Sequence, residues 1–342
     1  MIDQRKHDAI EWAAKQLASS ELSVEPASAD ASFRRYFRVH DRANPEHTGI
    51  LMDSPPDREP LQPFVDIDQR LAAAGIHVPE IIAFNQAQGF ALLSDLGKRP
   101  YHHVLDDGNA DELFNDAMST LIRMQRDADP AGLPDYDAAL LLSELQLFPD
   151  WFLARHWQIE PTDAELDDWE LICMTLIRWA LDQPRVFCHR DYMPRNLMFI
   201  EPDSGRTNPG VIDFQDAVIG PISYDPVCLF RDAFLSWPDE RVDGWLEHYR
   251  QQALKAGLPV SESVELWRRT CDLMGVQRHL KVLGIFARIR YRDGKPQYLD
   301  DAPRFFSYLD VAIQRNPELE PLGRLINIWR TRRIQPSESI PS

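Results

Sequence analysis

One stretch, residues 186–225, constrains this chain more than any other. It reads VFCHRDYMPRNLMFI, then a polar turn EPDSGRTNPG, then VIDFQDAVIGPISYD. Short apolar runs at 186–188, 197–200 and 211–212 bracket the polar residues. This alternation predicts strands tied in a small hairpin, with Asp191, Asn196 and Asp213 on loops or strand ends where side chains converge. Asn196 follows Asp191 by five residues, and Asp213-Phe214 closes the second apolar run.

Phosphoryl transfer calls for these residue types in this order. A carboxylate must orient an acceptor hydroxyl and take its proton, and hard oxygens must hold magnesium on nucleotide phosphates. Asp191 suits the first task. Asn196 and Asp213, an amide oxygen and a carboxylate, suit the second. Each tripeptide alone reads equally well as ordinary turn polarity; the ordered set HRD, then N, then DF points to a kinase-type site.

HRDYMPRNL followed by VIDFQDAVIGPISYD resembles the aminoglycoside phosphotransferase and choline kinase family of small-molecule kinases, whose usual wording is HGD with an asparagine after it and then DFxxA. The resemblance covers most of the chain. The longer strings ASADASFRRYFRV (27–39), ILMDSPPD (50–57) and FARIRYRDGKPQYL (286–299) look most like the bacterial branch that phosphorylates N-acetylmuramate and N-acetylglucosamine at the anomeric hydroxyl in cell-wall recycling. The resemblance implies a protein-kinase-like bilobal α+β fold, with an antiparallel N-lobe sheet and a mainly helical C-lobe. It implies ATP and Mg²⁺ as cofactors and an amino sugar as the small-molecule partner. It makes Ser94, Asp95 and Leu96 part of a hinge whose backbone meets the adenine, and it makes Arg190 and Asp225 braces of the catalytic loop.

Along the chain, residues 3–19 carry helical periodicity. Residues 22–28, 33–40 and 50–52 read as strands, 61–74 as a helix ending at Gly75, and 78–84 and 90–93 as two more strands. The first turn holds Ser28 and Ser32 and no glycine; in this fold it covers the nucleotide phosphates. A kinase sheet carries a lysine on its third strand, and Met52 stands there instead. Arg34, Arg35 or Arg38 is then the expected source of positive charge; Arg34 and Arg38 share one strand face, and Arg35 takes the other. The plain alternative is a set of surface arginines on a sheet edge. From 111 to 313 the pattern is mainly helical, with single helices expected over 138–157 and 224–234. The expected domains are an N-lobe over 1–97, a C-lobe over 98–334 and a frayed tail over 335–342.

A sugar acceptor needs convergent polar groups near Asp191. Arg195, Gln215 and Asp216 are close in sequence. Arg288 and Arg290 lie in a basic run that would suit the lactyl carboxylate of N-acetylmuramate, or would simply complement a helix C-terminus.

A length of 342 residues leaves room for two lobes with real cores. The formal net charge of −17 argues against nucleic acid and anionic membrane surfaces as partners. The charged N-terminus has no signal-peptide core, and no apolar run reaches a transmembrane length. Four scattered cysteines read as reduced, buried thiols, so a cytoplasmic protein is expected, and a monomer is compatible with the sequence. Two other readings stay open: a different acceptor, such as an aminoglycoside, choline or homoserine, and a nucleotide-binding protein without turnover. The missing lysine and glycine-free turn motivate the latter; the intact Asp191, Asn196 and Asp213 oppose it.

Overall fold

The structure, a computed structural model, describes residues 3–19, 21–27, 33–42, 44 and 48–334. Ser28 and Ser32 lie outside the described residues, as does the 335–342 tail. The helices are α1 (Gln4–Gln16), α2 (Gln62–Ala73), α3 (Tyr101–Val104), α4 (Ala110–Asp127), α5 (Ala138–Leu145), α6 (Asp163–Leu181), α7 (Tyr224–Phe230), α8 (Asp239–Lys255), α9 (Val264–Asp293), α10 (Ala302–Arg315) and α11 (Glu320–Ile334). The strands are β1 (Leu22–Pro26), β2 (Arg35–Asp41), β3 (Thr48–Asp53), β4 (Ile81–Asn85), β5 (Phe90–Ser94), β6 (Arg185–Cys188), β7 (Leu197–Met198), β8 (Gly210–Val211) and β9 (Val218–Pro221). Two compact units result. One comprises 1–124 with 195–216, the other 125–194 with 217–342.

The first unit is built on an antiparallel sheet of order β1-β2-β3-β5-β4. Strand alternation gives the sheet two faces. Phe37, Val39, Leu51, Phe90 and Leu92 pack against Ala9 and Ala13 of α1. Tyr36, Met52 and Ala91 align across the other face, followed by Arg38, Ile50 and Leu93. Helix α2 ends at Gly75 with φ 72°, as a left-handed C′ residue should. The β7–β8 pair, with Leu197 opposite Val211, completes this unit.

The second unit is organised around α9, a 30-residue helix buried through most of its length. Its lack of a single apolar stripe is what a helix surrounded by protein requires. Leu273, Val276, Leu280, Leu283 and Phe286 join Phe148, Phe152, Trp169, Phe305 and Trp329 in one core. Helix α6 starts with a capping box between Thr162 and Glu165.

Several expected elements differ. The strand runs at 186–213 do not form one hairpin: β6 pairs with β9, and β7 pairs with β8. The expected helix 138–157 divides into α5 and a π-helical stretch, Phe148–Trp157. Pro149 offers no N–H to the regular ladder, and the backbone of Leu147 sits directly against Gly284 of α9. A Cβ built on Gly284 would lie 2.4 Å from the Leu147 carbonyl carbon and 2.5 Å from its oxygen. Helix α7 stops at Phe230, four residues before the expected end, because the Asp232 carboxylate accepts the N–H groups of Phe234 and Leu235 at 2.7 and 2.8 Å.

Gly284→Ala is expected to force apart α9 and the π-helical stretch. The expected loss is about 1–3 kcal/mol, read as a lower urea midpoint with an unchanged slope.

Candidate active site

In the sheet unit, a pocket of about 810 Å³ is lined by Tyr36, Arg38, Ile50, Ser94, Asp95, Leu96, Gly97, Asn196, Met198 and Asp213, among others. The β7–β8 pair carries the last part of this lining. Asn196 precedes β7, and its carbonyl accepts the Ile212 N–H at 3.1 Å. The Asn196 amide donates to Asp213 Oδ2 at 3.2 Å, and Gln215 Nε2 donates to Asp213 Oδ1 at 2.9 Å. Asp213 has φ 65°, a backbone strain that tends to mark functional positions. The next residue, Phe214, stacks on Phe64 of α2 with ring centroids 5.1 Å apart.

Arg38 is the arginine of its trio that lines the pocket, and its guanidinium is engaged there. It bonds both oxygens of Asp95 and, at 2.8 Å, the carbonyl of Gly97. Asp95 Oδ1 also accepts the Gly97 N–H at 2.8 Å. The segment 94–97 is therefore fixed by one ion pair. Arg35 lies on the opposite face and pairs with Asp53 and Asp3. Arg34 reaches Ser54 and Glu59. Met52 is fully buried. Arg195, half-buried, lies near His102, whose imidazole is driven down to about 4 by burial, then by His103 and Arg195. Asp216 is exposed.

Asp68 of α2 is not among the residues that the sequence singles out. It is 4% exposed, and its Oδ2 has no hydrogen-bond partner. Burial pushes its carboxyl up to about 7.

In the helical unit, Asp191 follows β6. Asp225 Oδ2 accepts the His189 N–H at 2.8 Å, and its Oδ1 accepts the Arg190 N–H at 3.0 Å. The Asp191 N–H approaches His189 Nδ1 at 3.3 Å, and its carbonyl accepts the Met193 N–H at 2.9 Å. Arg190 has φ 73°, and its guanidinium pairs with Glu144 of α5. Burial works to raise the Glu144 carboxyl, but Lys281 and then Arg190 hold it below the usual range. Glu144 and Lys281 were missed by sequence reasoning, yet each is a single charge inside an apolar helical run, AALLLSEL and HLKVLGIF. Farther along α9, Arg288 is half-buried, its Nε has no hydrogen-bond partner, and burial, then Arg292, lowers its guanidinium. Arg290 is exposed and rests on the ring of Tyr291. Among the described residues no group of three His, Cys, Asp or Glu side chains is arranged to hold a metal. No helix among them is long and apolar enough to cross a membrane.

The model of the phosphotransferase enzyme family matches residues 23–267, and the chain belongs to this family. It is 56% identical over 302 residues to the N-acetylmuramate/N-acetylglucosamine kinase of Pseudomonas aeruginosa, spanning 88% of this chain and 87% of that one. It is 53% identical over 304 residues to the protein of the same name from Pseudomonas putida, spanning 89% and 87%. In fold it is similar to the ADP-bound aminoglycoside phosphotransferase APH(2'')-Ib, with a TM-score of 0.57 at 15% identity over 90% of this chain and 98% of that one. The expected protein-kinase-like architecture, an antiparallel sheet followed by a mainly helical region, is the one observed.

Asp68 titrates with its folded value raised, so the folded state binds the proton more tightly than the unfolded chain. Its burden on stability is absent below about pH 4, grows as pH rises to about 7, and is complete above that. Asp68→Asn is expected to melt a few degrees higher than the native protein at pH 8 and about equally at pH 4.

Proposed function

We propose that this protein is an ATP-dependent kinase that phosphorylates the anomeric hydroxyl of N-acetylmuramate and N-acetylglucosamine for peptidoglycan recycling. The observation that carries this reading is 56% identity, over 88% of the chain, to a kinase named for those two sugars. The ATP requirement fits a cytoplasmic enzyme. Asp191 orients the acceptor hydroxyl and takes its proton. The backbone of Ser94, Asp95 and Leu96 receives the adenine, with Ser28 and Ser32 toward the phosphates. Residues 1–97 serve the nucleotide, and residues 98–334 serve catalysis and the acceptor.

Asn196 and Asp213 would hold magnesium. Their hard oxygens suit it, and two protein ligands are enough for an ion that keeps phosphate oxygens and water in its shell. Bound there, magnesium supplies the positive charge that the nucleotide phosphates need. This matters because Arg34, Arg35 and Arg38 already face the carboxylates of Glu59, Asp53 and Asp95.

For the acceptor, Arg195, Gln215 and Asp216 remain candidates by proximity in sequence to the motif. Arg288 is the stronger choice over Arg290 for the lactyl carboxylate. It follows Lys281 by seven residues, two helical turns or roughly 10.5 Å along the same face of α9. Lys281 on that face pairs with Glu144 at 2.8 Å, and Glu144 holds the residue before Asp191. A half-buried guanidinium with an unused Nε gains a partner when a carboxylate binds.

ADP release from ATP with magnesium tests the reading, using N-acetylmuramate, N-acetylglucosamine, kanamycin, choline and homoserine as acceptors. Turnover is expected with the two amino sugars, with a sugar 1-phosphate seen by phosphorus NMR. Asp191→Asn should lower kcat by about 10²–10⁴-fold. Preferred turnover of kanamycin or choline would refute the acceptor assignment. Arg288→Gln is expected to shift the ratio of kcat/KM between the two sugars against N-acetylmuramate by about 10–100-fold; an unshifted ratio rules Arg288 out as the carboxylate partner.

A further inference from the structure

The residue before Asp191 is held within the helical unit by its backbone N–H, its carbonyl and its guanidinium. Its left-handed backbone, φ 73°, is a conformation that glycine takes freely and arginine does not. The Arg190 N–H donates to Asp225 at 3.0 Å, and its carbonyl accepts from the Cys228 thiol at 3.6 Å. Its guanidinium lies over the Tyr136 ring, 5.3 Å from the centroid, and pairs with Glu144. Glu144, only 5% exposed, also accepts Lys281 Nζ at 2.8 Å, Gln277 Nε2 at 3.1 Å and the Tyr136 hydroxyl. Lys281 in turn donates to the Tyr224 hydroxyl at 3.1 Å. One buried carboxylate therefore stands against two cations, Lys281 buried and Arg190 partly buried.

We propose that Glu144, with Lys281 as its second support, is a positioning residue for phosphoryl transfer: its grip on Arg190 locks the left-handed turn that aims Asp191. This rests on the reading of Asp191 as the catalytic base. The lock makes an unusual prediction about which residue is indispensable. Glu144→Gln leaves the partly buried Arg190 and the buried Lys281 together with no carboxylate between them, which is the costly way to break such a group. Arg190→Gly leaves Glu144 and Lys281 as a one-to-one pair, and glycine holds the left-handed turn without help. Arginine would be indispensable only if it touched substrate itself.

The experiment compares Glu144→Gln, Arg190→Gly, the double variant and Asp191→Asn for kcat, KM for ATP, and amide hydrogen exchange of residues 186–193. Misplacing a base by about 1 Å costs on the order of 100-fold. Glu144→Gln should therefore lose about 10–100-fold in kcat while KM for ATP moves less than about threefold. Arg190→Gly should lose less than about tenfold, and the double variant should regain at least about tenfold over Glu144→Gln. Exchange at 186–193 should quicken in Glu144→Gln and return toward native in the double variant. A double variant no more active than Glu144→Gln, Arg190→Gly as inactive as Asp191→Asn, or unaltered exchange in Glu144→Gln would each overturn the lock. If Glu144→Gln fails to fold, the activity of Arg190→Gly decides alone. If the native protein turns over neither sugar, the functional reading falls, and the exchange comparison still decides whether Glu144 locks the turn.

Discussion

The Asp191 loop depends on the burial of one carboxylate. Asp225 has no exposed surface, and burial raises its carboxyl above the ordinary range. A buried carboxylate is tolerable only when its lone pairs are used. Here the users are two successive backbone N–H groups, of His189 and Arg190, with the Cys188 thiol at 3.6 Å. Those donors belong to the loop itself, so satisfying Asp225 and shaping the loop are one event. Asp225 sits in the first turn of α7, where a negative charge is favoured by the helix dipole. The HRD tripeptide and the YD dipeptide, whose first residues His189 and Tyr224 are 35 positions apart, are in this sense one structural element.

The sheet unit solves its charge problem differently. Arg34, Arg35 and Arg38 are spent on its own carboxylates, and Asp53, fully buried, faces both Arg5 and Arg35. Where a kinase sheet carries lysine, Met52 packs in line with Tyr36 and Ala91. Asp68, on the following helix, has an oxygen without a partner and is correspondingly easy to protonate. The loss of the lysine and the orphaning of this acid are consistent with each other. The Arg38–Asp95 pair gives the sheet's positive charge a mechanical task, holding the Gly97 carbonyl and the segment before it.

Much of this was legible in the sequence, and the reasons are physical. The strands 22–26, 48–53 and 90–94 follow from alternation and turn residues, and the HRD, N and DF residues follow from spacing. The split of 138–157 was not legible. It depends on Gly284, more than a hundred residues away, admitting the Leu147 backbone. The pairing of β6 with β9 was hidden for the same reason: register between distant strands is settled by packing, not by local pattern. Arg38 could be placed on a face but not given a partner, since Asp95 lies on another strand's exit. Glu144 and Lys281 left a fainter trace, lone charges in apolar helices, which marks a buried pair without saying what the pair holds.

The sheet unit is assembled from two separate lengths of chain, 1–124 and 195–216. No single cut in the gene releases it. A fragment ending at 124 would keep all five strands of the sheet and lose Asn196, Met198 and Asp213 from the pocket lining. Recombination that exchanged the first part of such a chain for a relative's would therefore import a sheet while retaining the host's β7–β8 insert. The two lengths must fit each other at Pro100 and Met198, where they bridge, and at His77 and Val211, whose backbones bond at 2.8 Å. The sheet unit of this enzyme is thus inherited as a matched pair of segments, and its evolution is tied to that of the helical sequence threaded between them.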